Sequence, residues 1–258
     1  FPRAAIIAGR LDVVPHTGST NADLLAAVAG EPDAYPHLSV LVTDDQRAGR
    51  GRLDRTWTAP AGAALAISVL VRVPGIPAVQ RGWVSLIAGT AMTLAIRDQF
   101  PPENAGGNSR VALKWPNDVL IDGAKVCGIL SQMVPGEPDA IVVGAGINTR
   151  MMPEQLPVPT ATSLAIAGAD VDPDRLLADY LRALDRMLAA AVSADAVARV
   201  HTEVQGACAT LERQVRVMLP DNRVLEGWAT GLDDAGRLVV AVDGKSLSVA
   251  AGDVIHVR

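Results

Sequence analysis

Apolar positions along this chain keep two rhythms. Short, nearly continuous apolar runs occupy 11–14, 37–43, 63–71 and 140–147, each flanked by Gly, Pro, Asn, Asp or charged residues. Runs of that kind predict buried strands. The second rhythm recurs every three or four residues. Val84, Ile87, Ala88, Ala91, Leu94 and Ala95 fall on one face of a helix predicted over 83–98. Leu176, Leu177, Tyr180, Leu181, Leu184 and Leu188 form the same stripe in a helix that opens at Asp172-Pro173-Asp174, with proline suited to the first turn. Weaker helical patterns cover 22–29 and 193–205, and Thr20 with Asp23 fits a capping box for the first of these. Residues 101–109 and 150–160 break both rhythms and read as loops, the second a candidate lid with prolines at 153, 157 and 159.

The texture changes after residue 210. Strand candidates at 214–219, 223–230, 237–242, 245–250 and 254–257 are divided by Asp221-Asn222, Asp234-Ala235-Gly236, Asp243-Gly244 and Gly252-Asp253. Closely spaced short strands with turn signals predict a small β-barrel. A boundary near Cys208 follows, giving units 1–208 and 209–258.

Composition narrows the possibilities. The 258 residues suffice for one large unit and one small one. No run of about 18 apolar residues occurs, and no signal-peptide or lipidation pattern is read, so a membrane role is not expected. The net charge of −5 disfavours a general nucleic-acid binder but leaves room for a local cationic site. Cys127 and Cys208 stand far apart without metal-ligand spacing, as expected of a reduced cytoplasmic protein. His16, His37, His201 and His256 form no ligand pattern, and no metal ligands are assigned. Phe1 is not an initiator methionine, so a short preceding piece is expected to be missing.

Chemistry concentrates in four stretches. Residues 46–57 hold four arginines and two glycines in a cationic loop between two strands. Arginine presents a fixed fork of donors to carboxylates and phosphates, and glycine permits close backbone approach. Ser19-Thr20-Asn21 opens a helix whose free N–H groups suit a polar or anionic ligand. Lys114-Trp115-Pro116-Asn117-Asp118 crowds polar groups between two strands, and Lys125 and Gly128 follow the Asp122-Gly123 turn. Gly144-Ala145-Gly146-Ile147-Asn148 lacks the third glycine of a dinucleotide fingerprint. Gly244-Lys245-Ser246 lacks the first glycine of a phosphate loop and is discounted.

Together these motifs, in their order and spacing, resemble biotin protein ligases. The resemblance covers nearly the whole chain. It implies an α+β fold: a mixed central sheet flanked by helices, like class II synthetases, with a C-terminal SH3-like barrel. It implies that biotin and ATP, with Mg2+, form biotinyl-5′-adenylate, and that a lysine of a biotin carboxyl carrier domain then takes the biotin. It places Ser19, Thr20, Asn21 and Gln46 at biotin and makes Arg50, Gly51 and Arg52 the loop that orders over ligand. Lys125, Arg52 and Asp118 are the expected catalytic residues. Arg55, Trp57, Lys114, Asn117, Gly128 and Asn148 complete the expected binding set. Because the motifs begin by Ser19, the type without an N-terminal DNA-binding domain is expected, with no nucleic-acid partner. A monomer or weak homodimer is expected. The competing readings are a lipoate or octanoate ligase or transferase, and a non-catalytic module that binds through its terminal barrel.

Overall fold

A computed structural model describes residues 1–53, 55–101 and 110–257. In chain order its first elements are α1 (Pro2–Ala5), β1 (Arg10–Val13), α2 (Thr20–Gly30), β2 (Ser39–Thr43), β3 (Gly49–Arg50), β4 (Thr56–Trp57), β5 (Ala64–Arg72) and α3 (Gly82–Arg97). They are followed by β6 (Val111–Lys114), β7 (Asp118–Ile121), β8 (Ala124–Val134), β9 (Glu137–Asn148), α4 (Pro173–Ala191) and α5 (Val197–Ala207). The last strands are β10 (Arg213–Met218), β11 (Val224–Leu232), β12 (Leu238–Val242), β13 (Lys245–Val249) and β14 (Asp253–His256).

Seven strands form the central sheet in the order β1-β2-β5-β9-β8-β7-β6. Its β1–β2 pair is parallel and its other pairs antiparallel, so the sheet is mixed. The near-continuous apolar run of β5 is explained by its place: it is buried along eight of its nine residues, between β2 and β9. Helices α3 and α4 cover one face, with Ile87, Met92, Tyr180 and Leu184 fully buried there. On the other face α2 sets Leu24 and Val28 against Leu70, Ala140 and Val142, and leaves the middle of the sheet for a cleft. The β7–β8 turn has positive φ at Asp122 and Gly123, which matches a tight hairpin.

Three local expectations change. The cap of α2 is Ser19, whose Oγ accepts from Ala22 N at 3.4 Å, rather than Thr20. Asp23, expected to reach back to the cap, instead takes the hydroxyl of Thr17. The last helix begins at Val197 and not at residue 193, after a turn at Ser193–Ala196. The arginine stretch does not hang open: Gly49 pairs with Trp57 and Arg50 with Thr56 in a small ladder. The loop expected over residues 101–109 lies, from 102 on, outside the described residues.

The C-terminal strands form one antiparallel sheet, β13-β12-β11-β10-β14, whose inward residues include Val215, Val217, Leu238 and Val240. These join the same apolar core as the central sheet. Two indoles fasten the seam: Trp83 Nε1 donates to Asp234 O at 3.0 Å and Trp115 Nε1 to Gly236 O at 3.1 Å. Among the described residues no helix is long and apolar enough to cross a membrane.

Candidate functional site

A cleft opens on the α2 side of the central sheet. One end is neutral and rich in hydrogen-bonding groups. The α2 N-terminus brings Ser19, Thr20 and Asn21 there, all buried. Gln46 Oε1 accepts from Thr20 N at 2.9 Å and from Thr20 Oγ1 at 3.1 Å. Asn21 Nδ2 donates to Leu130 O at 3.1 Å and to Gln132 Oε1 at 2.9 Å. Ser68 Oγ lies 2.8 Å from Thr20 Oγ1 and 2.6 Å from Asn21 Oδ1. These bonds satisfy buried polar groups and lock their rotamers, which makes the end rigid before any ligand arrives.

The floor explains the glycines of β8 and β9. Gly128 and Gly146 face each other in register. A Cβ at Gly146 would lie 2.6 Å from Trp57 Cε2, and one at Gly144 would strike the Asn21 amide. Glycine there lets the Trp57 ring and the Asn21 side chain lie directly on the sheet.

The other end is charged. Arg50, Arg52, Arg55 and Lys125 line it with two carboxylates, Asp118 and Asp253. Lys125 Nζ sits 2.6 Å from Asp118 Oδ1 and 5.6 Å from the Trp57 ring centroid. Arg52 NH1 donates to Asn117 Oδ1 at 3.0 Å, while Asn117 Nδ2 donates to Ile129 O at 2.7 Å. Arg55 pairs with Asp253 of β14, which ties the hairpin to the C-terminal sheet. Burial pushes the Arg52 guanidinium below its usual range, opposed by the Asp253 and Asp118 charges. The Lys114 amine is likewise pushed down by burial, with Asp118 opposing and Lys125 adding to the shift. Four cations against two carboxylates leave an excess of positive charge for an anionic ligand.

Of the residues singled out from sequence, Ser19, Thr20, Asn21, Gln46, Arg50, Gly51, Arg52, Arg55, Trp57, Asn117, Asp118, Lys125 and Gly128 line this one cleft. Lys114 and Asn148 do not. Lys114 ends β6 opposite Asp118, and the Asn148 amide is already committed to Thr162 O at 2.9 Å. Sequence reasoning missed Ser68 and Asp253. Ser68 carried a signal, as the one polar residue in the apolar run 63–71. Asp253 carried none beyond a turn, because nothing local brings β14 to the arginine hairpin.

The chain resembles known proteins in both sequence and fold. Residues 22–148 match the model of the biotin/lipoate A/B protein ligase family, and residues 210–257 match the biotin protein ligase C-terminal domain. The chain is 40% identical to biotin–[acetyl-CoA-carboxylase] ligase of Mycobacterium tuberculosis over 96% of this chain and 90% of that one. It is 30% identical to the ligase of the same name from Paracoccus denitrificans, over 88% of this chain and 92% of that one. In fold it is similar to the biotin protein ligase from Aquifex aeolicus in complex with biotin and ATP, with a TM-score of 0.76 at 24% identity over 97% of this chain and 99% of that one. With identity of that depth along nearly its whole length, and both family domains matched in order, this chain belongs to the biotin protein ligase family.

Proposed function

We propose that the cleft is where biotin and ATP react, and that the chain acts as an ATP-dependent ligase: it forms biotinyl-5′-adenylate and then transfers biotin to a lysine of a biotin carboxyl carrier domain. The observation that carries this reading is the cleft's polarity. A neutral donor–acceptor end suits a ureido ring, and a cationic end suits phosphates, with the Trp57-floored stretch between them for an alkyl chain.

Step one brings a carboxylate against the α-phosphate of a polyanion. Two unit charges about 4 Å apart repel by roughly 4 kcal/mol at an effective dielectric of about 20. Arg50, Arg52 and Lys125 offset that repulsion and stabilise charge as it grows on the phosphate. The carboxylate oxygen attacks phosphorus and pyrophosphate leaves. In step two the carrier amine attacks the acyl carbon and AMP leaves. The 49–57 hairpin, in this proposal, shields the mixed anhydride from water between the steps.

Magnesium, on this reading, comes with ATP. Asp118 and Asp253 are paired with Lys125 and Arg55, and among the described residues no three His, Cys, Asp or Glu side chains could hold a metal. Phosphate oxygens and water would hold the ion. Residues 1–208 carry the chemistry and 209–258 form the C-terminal unit. A monomer or weak homodimer in a reducing cytoplasm completes the proposal, in keeping with free, buried Cys127 and Cys208. A lipoate or octanoate ligase is the second reading, and the hydrogen-bonding end of the cleft favours biotin over an acyl tail that has no ureido group. Biotin-dependent ATP–pyrophosphate exchange, then biotin transfer to a purified carrier domain, tests the function. Exchange driven by lipoate and not by biotin would overturn it.

A further inference from the structure

We propose that the outward face of the C-terminal sheet, across β11, β10 and β14, is where the carrier domain docks while its lysine enters the cleft. The inference rests on the ligase reading above and adds to it the surface that recognises the protein substrate. Strand alternation defines this face. Val215, Val217, Val254 and Ala229 are buried in the core, so the residues beside them along each strand point outward. On β14 and just past it these are Asp253, Ile255 and Val257. On β10, Met218 stands beside Asp253 and Arg216 beside Ile255. On β11, Val224 and Trp228 flank Glu226, which pairs with Arg216 at 2.5 Å. The five large apolar side chains, Val224, Met218, Trp228, Ile255 and Val257, are each 41% to 54% exposed. A contiguous apolar patch of that kind on a sheet face marks a contact site.

Three observations name the occupant. The first is continuity with the cleft. Asp253 belongs to the outward face, yet it also lines the cleft and pairs with Arg55 of the hairpin. The exposed apolar Leu53 lies on the hairpin side of that ion pair and Met218 on the sheet side, so the cleft's rim is apolar on both flanks. A lysine reaches its target on a four-carbon stem, so the domain that carries it must rest on the rim itself. The second is size. Three strands with three outward positions each span on the order of 300 Å². A stable dimer needs about 800 Å² from each partner, so the face suits a substrate that leaves after each turnover better than a second copy of this chain. The third is charge. Arg216 is matched by Glu226 and Arg55 by Asp253, so the face offers no excess cation to a nucleic acid.

The test measures biotin transfer by the full chain to a purified biotin carboxyl carrier domain at varied carrier concentration. Trp228→Glu and Ile255→Glu charge the face at positions that do not line the cleft. Trp228→Ala combined with Ile255→Ala serves should the charged variants melt early. Each is expected to raise KM for carrier on the order of tenfold and to leave kcat unchanged. Two readouts that bypass docking are expected to stay at the wild-type level. One is biotin-dependent pyrophosphate exchange; the other is biotinyl hydroxamate formed with hydroxylamine, a small amine that needs no docking surface. Ile6→Glu, at an exposed apolar position beside α1, is the control and is expected to leave KM for carrier unchanged. Folded face variants with wild-type KM for carrier would overturn the proposal. Exchange or hydroxamate falling in step with transfer would overturn it too, because the face would then serve the cleft and not the carrier. So would sedimentation showing a wild-type dimer that these substitutions dissociate, which would give the face to a second copy. Failure of wild type itself to exchange would strike the ligase reading rather than this one.

Discussion

Trp57 and Gly146 account for each other. The indole lies on the sheet only because position 146 has no Cβ, which would approach Trp57 Cε2 to 2.6 Å. Gly146→Ala should therefore lift the ring and loosen biotin by about 1–3 kcal/mol, the usual cost of overpacking, with the dissociation constant as readout. Unchanged affinity would remove Trp57 from the binding surface. Lys125 makes a different kind of contribution. Its side chain is about a third exposed and pairs with Asp118, so its truncation takes little from the core. Lys125→Ala should lower adenylate formation by about 10²–10³-fold, the scale for loss of one preorganised donor, and leave the melting curve nearly unchanged. A fully active variant would refute the role given to that amine. At this scale most of the site was legible, because charged and polar residues crowded among apolar strands need partners. Asn148 stands outside the cleft lining, with its amide bonded to Thr162 O.

On the proposed reading, the hairpin is the element on which function turns. Its ladder is two residue pairs long, so its place over the cleft depends on side chains beyond it. Arg52 reaches Asn117 and Arg55 reaches Asp253, one on the central sheet and one on the C-terminal sheet. Arg52→Ala should fold normally yet release adenylate or lose it to water, measured by trapping the intermediate with radiolabelled ATP; normal retention would count against the shielding role. The element was visible in sequence as glycines and arginines between two apolar runs. Its closed conformation was not, since that rests on Asn117 and Asp253, 65 and 198 residues away along the chain from their arginine partners.

Across the whole molecule the two sheets share one core and two indole–carbonyl bonds, so the seam near residue 208 divides the topology more than the packing. A chain ending at residue 209 should lose solubility or melt far below the intact protein, because Trp83 and Trp115 would lose their carbonyl partners Asp234 and Gly236; an intact-like melt would show an independent first unit. The seam also holds a titrating group. His256 Nε2 lies 3.2 Å from Thr210 Oγ1, and burial, aided by the Lys114 and Arg213 charges, lowers its pKa from 6.5 to about 4. The unfolded chain binds the proton near 6.5 and the folded one only near 4, so stability is present above pH 6.5 and falls as pH drops toward about 4. His256→Gln should flatten that part of the stability–pH curve relative to wild type in denaturant titrations. An identical pH slope in both would place His256 in a solvated environment.

The strands, the helices, the late run of short strands and the residues of the cationic loop were determined by sequence alone. Each is written locally, as a period of apolar positions, a turn dipeptide or a concentration of charge. Which strand lies beside which, the joining of Ser68 to Thr20 and Asn21, and the reach of Asp253 to Arg55 were decided only in three dimensions. Those contacts join residues far apart in the chain, and their free energy comes from burial and pairing that exist only once the sheets have closed on a common core.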